Sequence, residues 1–336
     1  MTRRPWLLLA ASLALVLASL GAVPSYAGGS AAKRAVQQSK RIVVQWQGYQ
    51  RNPVYQRTAN VPGIGAVDLV CRPNSTMIRL RTANRRSENQ MWLAKFETKN
   101  GTDRVAVKNV RVYTYATAAD NGRGGTGPQA HEGLNQRWPI EDFEKGTAYG
   151  VISSRPGRNR PGGGTMTVPA TAFRLTWYWE RFAYPGSQYC KMTLALRTDT
   201  TQQFGLSWHG DAEAATKDFT TVDLGSIGQA QLRCETGRTG DQTVALKTDD
   251  PNAYMDYEYI RGEGLASDRV DHYSDLDRDP VTGLLGPVDL PTNGMMRIWW
   301  SVNGVKRMWV LSSYMVVNNA KHPELNVCEV AAARLP

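Results

Sequence analysis

Three aspartates, Asp275, Asp277 and Asp279, stand two residues apart in YSDLDRDP, and hard carboxylate oxygens at that spacing resemble the opening of a calcium loop. Pro280 occupies the position where a helix-loop-helix calcium site needs glycine, and Gly286 the position where it needs a bidentate glutamate. The string is therefore expected to hold calcium, if any ion, in another geometry; no other cofactor is expected. The four histidines, His131, His209, His272 and His322, form no HExxH or other two-histidine helical spacing. GLSWHG, residues 205–210, lacks the G-x-S-x-G nucleophile turn. Glu180, beside Tyr178 on an alternating stretch, is the most enzyme-like carboxylate, and no catalytic set is visible around it. These residues place binding ahead of catalysis.

The aromatic residues carry the binding chemistry. Ten tryptophans are present, and in the alternating run MMRIWWSV one of Trp299 and Trp300 must face a core while the other faces out. An outward Trp299 next to Arg297 would make an aromatic plate with a polar neighbour. Such a plate suits sugars, because a ring stacks on apolar C–H surface while polar groups meet hydroxyls. Trp299 and Arg297 are the first ligand-binding candidates, with Tyr178 and Glu180 the second.

The elements that must position these residues are strands. Phe173, Leu175, Trp177 and Trp179 alternate with Arg174, Thr176, Tyr178 and Glu180, and Cys190, Met192, Leu194 and Leu196 alternate with Lys191, Thr193, Ala195 and Arg197. Period two is the signature of half-buried antiparallel strands. Asn100-Gly101 and Asn303-Gly304 lie between such runs and predict tight hairpins, since that dipeptide accepts the positive φ of a two-residue turn. Helical pattern is scarce, with DAEAATKDF, Asp211 to Phe219, the best short candidate.

One phrase occurs twice: IGAVDLVC from Ile64 to Cys71, and IGQAQLRC from Ile227 to Cys234. The repetition predicts a duplicated unit, each copy closing on its own second cysteine, so Cys71 pairs with Cys190 and Cys234 with Cys328. Each bridge would tie an early strand to a late one, a loop closure worth about 4 to 5 kcal/mol in the chain-entropy account. The expected fold is all-β: two tandem antiparallel β-sandwiches, jelly-roll or immunoglobulin-like, each with one internal disulfide. The expected division is a signal peptide over 1–27, a basic linker over 28–41, a basic sandwich over 42–200, a linker or short helix over 201–221, and an acidic sandwich over 222–336. A Gly/Arg-rich insert over 117–165 interrupts the basic sandwich. Within it Gly122, Gly124 and Gly127 spell G-x-G-x-x-G, but Pro128 follows and no helical pattern does, which excludes a dinucleotide site.

Residues 1–27 read as an export signal, with Arg3 and Arg4 before a leucine-rich core and Ser25-Tyr26-Ala27 as a small-residue cleavage site. The long core favours the general secretory route, and Arg3-Arg4 keeps the twin-arginine route open. The mature chain is expected to be secreted or cell-surface associated, without a transmembrane anchor. Disulfides persist in that compartment. Charge divides sharply: residues 28–200 hold 26 Lys and Arg against 11 Asp and Glu, while residues 201–336 hold 12 against 19. The basic part would attract anionic envelope polymers, or the two parts would neutralise each other. Arg79, Arg81, Arg85 and Arg86 form a basic run without interleaved aromatics, which argues against a nucleic-acid partner. The functional expectation is noncovalent binding of a cell-envelope or extracellular ligand, a glycan or an anionic polymer. A secreted hydrolase on the same scaffold and a structural or partner-binding surface protein are the alternatives.

Overall fold

The computed structural model describes residues 35–73, 75–83, 88–99, 101–112, 143–155, 168–180, 184–210, 218–261, 264–265 and 270–336. The expected signal segment lies outside them. The first half of the chain forms β1 (Gln37–Gln47), β2 (Gln56–Val61), β3 (Gly65–Arg72), β4 (Ser75–Thr82), β5 (Glu88–Lys99), β6 (Thr102–Val112), β7 (Phe143–Arg155), β8 (Thr171–Glu180) and β9 (Tyr189–Asp199). The second half opens with β10 (Gln203–His209), β11 (Phe219–Asp223), β12 (Gln229–Cys234), β13 (Gln242–Lys247) and β14 (Tyr254–Arg261). It continues through β15 (Gly264–Leu265), β16 (Val270–Asp277), β17 (Leu284–Asp289), β18 (Asn293–Val302), β19 (Val305–Val316) and β20 (Val327–Arg334).

The repeated phrase has the same structural role in both halves. Ile64 and Ile227 are each 2% exposed and plug the two sandwich cores. The glycine that follows has positive φ, 150° at Gly65 and 127° at Gly228. A Cβ at either place would strike the carbonyl of the neighbouring strand, Arg81 or Lys247, so only glycine fits. The cysteine ends the phrase: Cys71 bonds Cys190 and Cys234 bonds Cys328, with Cα atoms 6.7 and 6.5 Å apart. A tryptophan completes each copy. The Trp46 indole N–H donates to the Cys71 carbonyl at 2.8 Å, and Trp208 donates to that of Cys234 at 3.0 Å.

Strand order repeats as well. One large sheet runs β1-β9-β8-β7-β5-β6 and the other β10-β20-β19-β18-β14-β16, position for position the same path. The small sheets, β2-β3-β4 and β11-β12-β13-β17, each cover one face of their large sheet. The remaining faces of the large sheets meet each other through Trp92, Ala94 and Val151 on one side and Met295, Val310 and Ala331 on the other. The result is two sandwiches in four layers, small, large, large, small, with three apolar cores. β15 crosses the halves, pairing with β6 from Gly264 to Val107 and from Leu265 to Ala106.

Several expected boundaries move. β1 begins at Gln37, inside the stretch read as a basic linker, because a polar edge strand hides its alternation. β7 lies inside the expected insert at 117–165, and Ala148, Val151 and Ile152 on it are fully buried. Its glycines disguised it: Gly146 sits opposite Trp177 and Gly150 opposite Phe173, and a Cβ on either would collide with that ring. A glycine under an aromatic ring belongs to a strand where the ring fills the missing side chain's place. The rest of the insert, including Gly122, Gly124 and Gly127, is outside the described residues. β10 lies within 201–221, read as a linker or short helix, and buries Phe204, Leu206 and Trp208; residues 211–217 of the helix candidate are outside the described residues. Both Asn-Gly hairpins form, joining β5 to β6 and β18 to β19, with Asn303 and Gly304 at φ 53° and 68°.

Candidate functional site

β14 turns Met255, Tyr257 and Tyr259 toward the core of the second sandwich. β16 sets Tyr273 directly opposite Tyr257, and the two rings stack with centroids 4.6 Å apart and planes 14° from parallel. The small sheet ends at β17, so the core-facing row beyond it meets solvent, and Tyr273 is 42% exposed. The Tyr259 hydroxyl donates to the Leu290 carbonyl at 3.1 Å, which fixes that ring. Asp289, Thr292 and Asn293, at the passage from β17 to β18, complete a cleft of about 470 Å³ with the three tyrosines. Burial, then neighbouring Tyr273 and Asp289, push the Tyr257 hydroxyl above its ordinary range, so the phenol remains a neutral donor. An aromatic cleft with hydroxyl, amide and carboxylate groups at its rim is equipped to hold a ligand with both apolar and hydroxylated faces.

The first sandwich holds a different group. On β5 the core-facing row Met91, Leu93 continues into Lys95 and Glu97, both nearly buried. Lys95 Nζ lies 2.5 Å from Glu97 Oε2, and Glu144 on β7 accepts the Trp177 indole N–H at 3.1 Å. Burial, followed by the charge of Glu97, raises the Glu144 carboxyl to about 7 against the pull of Lys95. Glu97 borders a cleft of about 530 Å³ with Arg104, Lys145 and Trp177. Glu144 is not among the described lining residues and is 3% exposed.

The sequence candidates are placed as follows. Trp300 enters the second core, and Trp299 lies on the opposite face of β18, as alternation requires, its ring edge to face with His272 at 6.4 Å. Arg297 beside it lies 4.4 Å from the Tyr149 ring, 4.8 Å from Phe96 and 5.3 Å from Trp299, and its Nε donates to Glu258 at 2.8 Å. The guanidinium thus joins rings from both halves. Tyr178 and Glu180 are bonded to each other on β8, a bond that raises the Tyr178 hydroxyl, and Tyr189 meets Tyr178 edge to face at 5.8 Å. The two pairs lie on different sheets. Asp275 receives no convergence from its neighbours: its own N–H donates to Asp256, while Asp279 accepts the N–H groups of Val281 and Thr282 at 2.7 and 3.0 Å. Among the described residues no three His, Cys, Asp or Glu side chains gather to hold a metal ion, so Asp275, Asp277 and Asp279 are not brought together.

Tyr257, Tyr259 and Tyr273 were not singled out in the sequence. Their signal is an apolar row, Met255 onward, that turns into tyrosines at the same parity, and Lys95 and Glu97 extend an apolar row in the same manner. Compared with family profiles, curated proteins and solved structures, the chain matches none.

Proposed function

We propose that the protein is secreted and holds an extracellular glycan noncovalently in the tyrosine cleft. The observation that supports this is the stacked Tyr257–Tyr273 pair beside Asp289, Thr292 and Asn293. A pyranose offers an apolar C–H face to an aromatic ring and hydroxyls to the rim, and a cleft of this composition matches both. The two disulfides suit an oxidising compartment, and the residue pattern over 1–27 suits export. No helix among the described residues is long and apolar enough to cross a membrane. An anionic polymer is the poorer match, because the cleft belongs to the acidic half and carries a carboxylate.

A glycan array on the purified protein, followed by calorimetry with the best binder, tests the reading. Tyr273→Ala should weaken binding about tenfold, in line with the loss of one aromatic contact, and should leave the circular dichroism unchanged. Undiminished affinity in that variant would remove the cleft as the seat. The Glu97–Glu144 pair favours a second reading, hydrolysis. It ranks lower because Glu144 is buried and its carboxyl is engaged by the Trp177 indole N–H. Glycoside turnover abolished in Glu97→Gln would reverse the order.

A further inference from the structure

We propose that the ligand of the tyrosine cleft is an amino sugar, held through a protonated amine at Asp289. The inference rests on the glycan reading above and names the class of sugar. Of the described lining residues only Asp289 carries a charge, and it is exposed. No Lys or Arg is among the described lining residues, so among them a uronate or sulfate would meet the Asp289 carboxylate and no positive side chain. The field of the surrounding half points the same way, since residues 201–336 hold 12 Lys and Arg against 19 Asp and Glu.

The rings add to this preference. A phenol face is the negative end of the aromatic quadrupole, so an ammonium group near it is attracted and a carboxylate is not. Tyr257 stays un-ionised at neutral pH, which keeps its hydroxyl a hydrogen-bond donor to sugar oxygens. Tyr257 and Tyr273 cover one face of each other, leaving the exposed side of Tyr273 for the sugar ring. Thr292 and Asn293 remain at the rim for hydroxyls. A pyranose stacked on Tyr273 would thus bring an amine substituent toward Asp289, where a charge-assisted hydrogen bond forms.

Calorimetry on the full chain, at mildly acidic pH and low salt, separates the possibilities with three oligomers of equal length: β-1,4-linked glucosamine, its N-acetylated counterpart and a uronic acid. The expected result is glucosamine at least about fivefold tighter than the N-acetylated oligomer, no uronate binding, and a preference that shrinks as salt rises. Asp289→Asn should erase the preference while retaining the N-acetylated affinity. Asp277→Asn, which removes an exposed carboxylate on β16 outside the cleft, should leave the preference intact. Equal or tighter binding of the N-acetylated or uronic oligomer overturns the amine proposal and leaves the glycan reading standing. An equal effect of Asp277→Asn and Asp289→Asn also overturns it, as diffuse attraction. Binding of no oligomer overturns both.

Discussion

Glu144 keeps its proton up to about pH 7 because burial disfavours its charged form and losing the proton would place a second negative charge against Glu97, which the pull of Lys95 only partly offsets. The folded-state value is raised above the ordinary carboxylate value of 4.5, so the native protein binds the extra proton and the stability it contributes is complete at acidic pH. That contribution falls as pH climbs through about 7. Urea denaturation should show a loss of roughly 1 to 3 kcal/mol between pH 5 and 8. Glu144→Gln keeps an acceptor for the Trp177 N–H and should flatten that slope; an unchanged slope would assign it to other groups. A residue such as Glu144 was hidden in the sequence because its partners, Lys95 and Trp177, are 49 and 33 positions away. Only the pairing of β5, β7 and β8 makes it a cluster.

At the scale of elements, glycines separate two costs. Gly304 sits in the β18–β19 turn at φ 68° with nothing within 4 Å of where a Cβ would be. Gly304→Ala should therefore cost only the left-handed backbone penalty, about 1 to 2 kcal/mol. Gly228→Ala adds a collision with the Lys247 carbonyl to a similarly unfavourable φ of 127°, and should cost distinctly more by chemical denaturation. Equal costs would mean that the close approach of β12 to β13 is soft. Hairpins and alternating strands were legible because turn chemistry and period-two burial are local. β7 was not legible, since FEKGTAYGVISSR reads as loop until Phe173 and Trp177 are seen to lie over its glycines.

The whole molecule joins its halves through an apolar layer, Trp92, Val151, Met295 and Ala331 among it, with the Arg297 guanidinium against Phe96 and Tyr149 at one end. Apolar burial does not screen with salt. Small-angle scattering should accordingly give the same profile at low and high salt, although the halves carry opposite net charge; loosening at high salt would assign the junction to charge. Ala331 is 5% exposed in this layer. Ala331→Asp buries a carboxylate there and should destabilise by at least about 2 kcal/mol, turning a single thermal transition into two. A single, unshifted transition would show that the layer contributes little to cooperativity.

The sequence by itself determined the β class, the duplication, the pairing of Cys71 with Cys190 and Cys234 with Cys328, and the two Asn-Gly hairpins. Each follows from spacing along the chain: alternation, a repeated phrase, a turn dipeptide. It also required that one of Trp299 and Trp300 face outward, but not toward what. The tertiary structure decided that Arg297 meets Phe96 and Tyr149 of the other half, with Trp299 beside it, and that among the described residues Asp275, Asp277 and Asp279 form no metal-holding group. It decided too that an aromatic cleft is built from β14, β16 and the β17–β18 passage. Strand parity states which residues share a face, whereas the order of strands and the stacking of sheets decide whether that face meets a core, a second sheet or water.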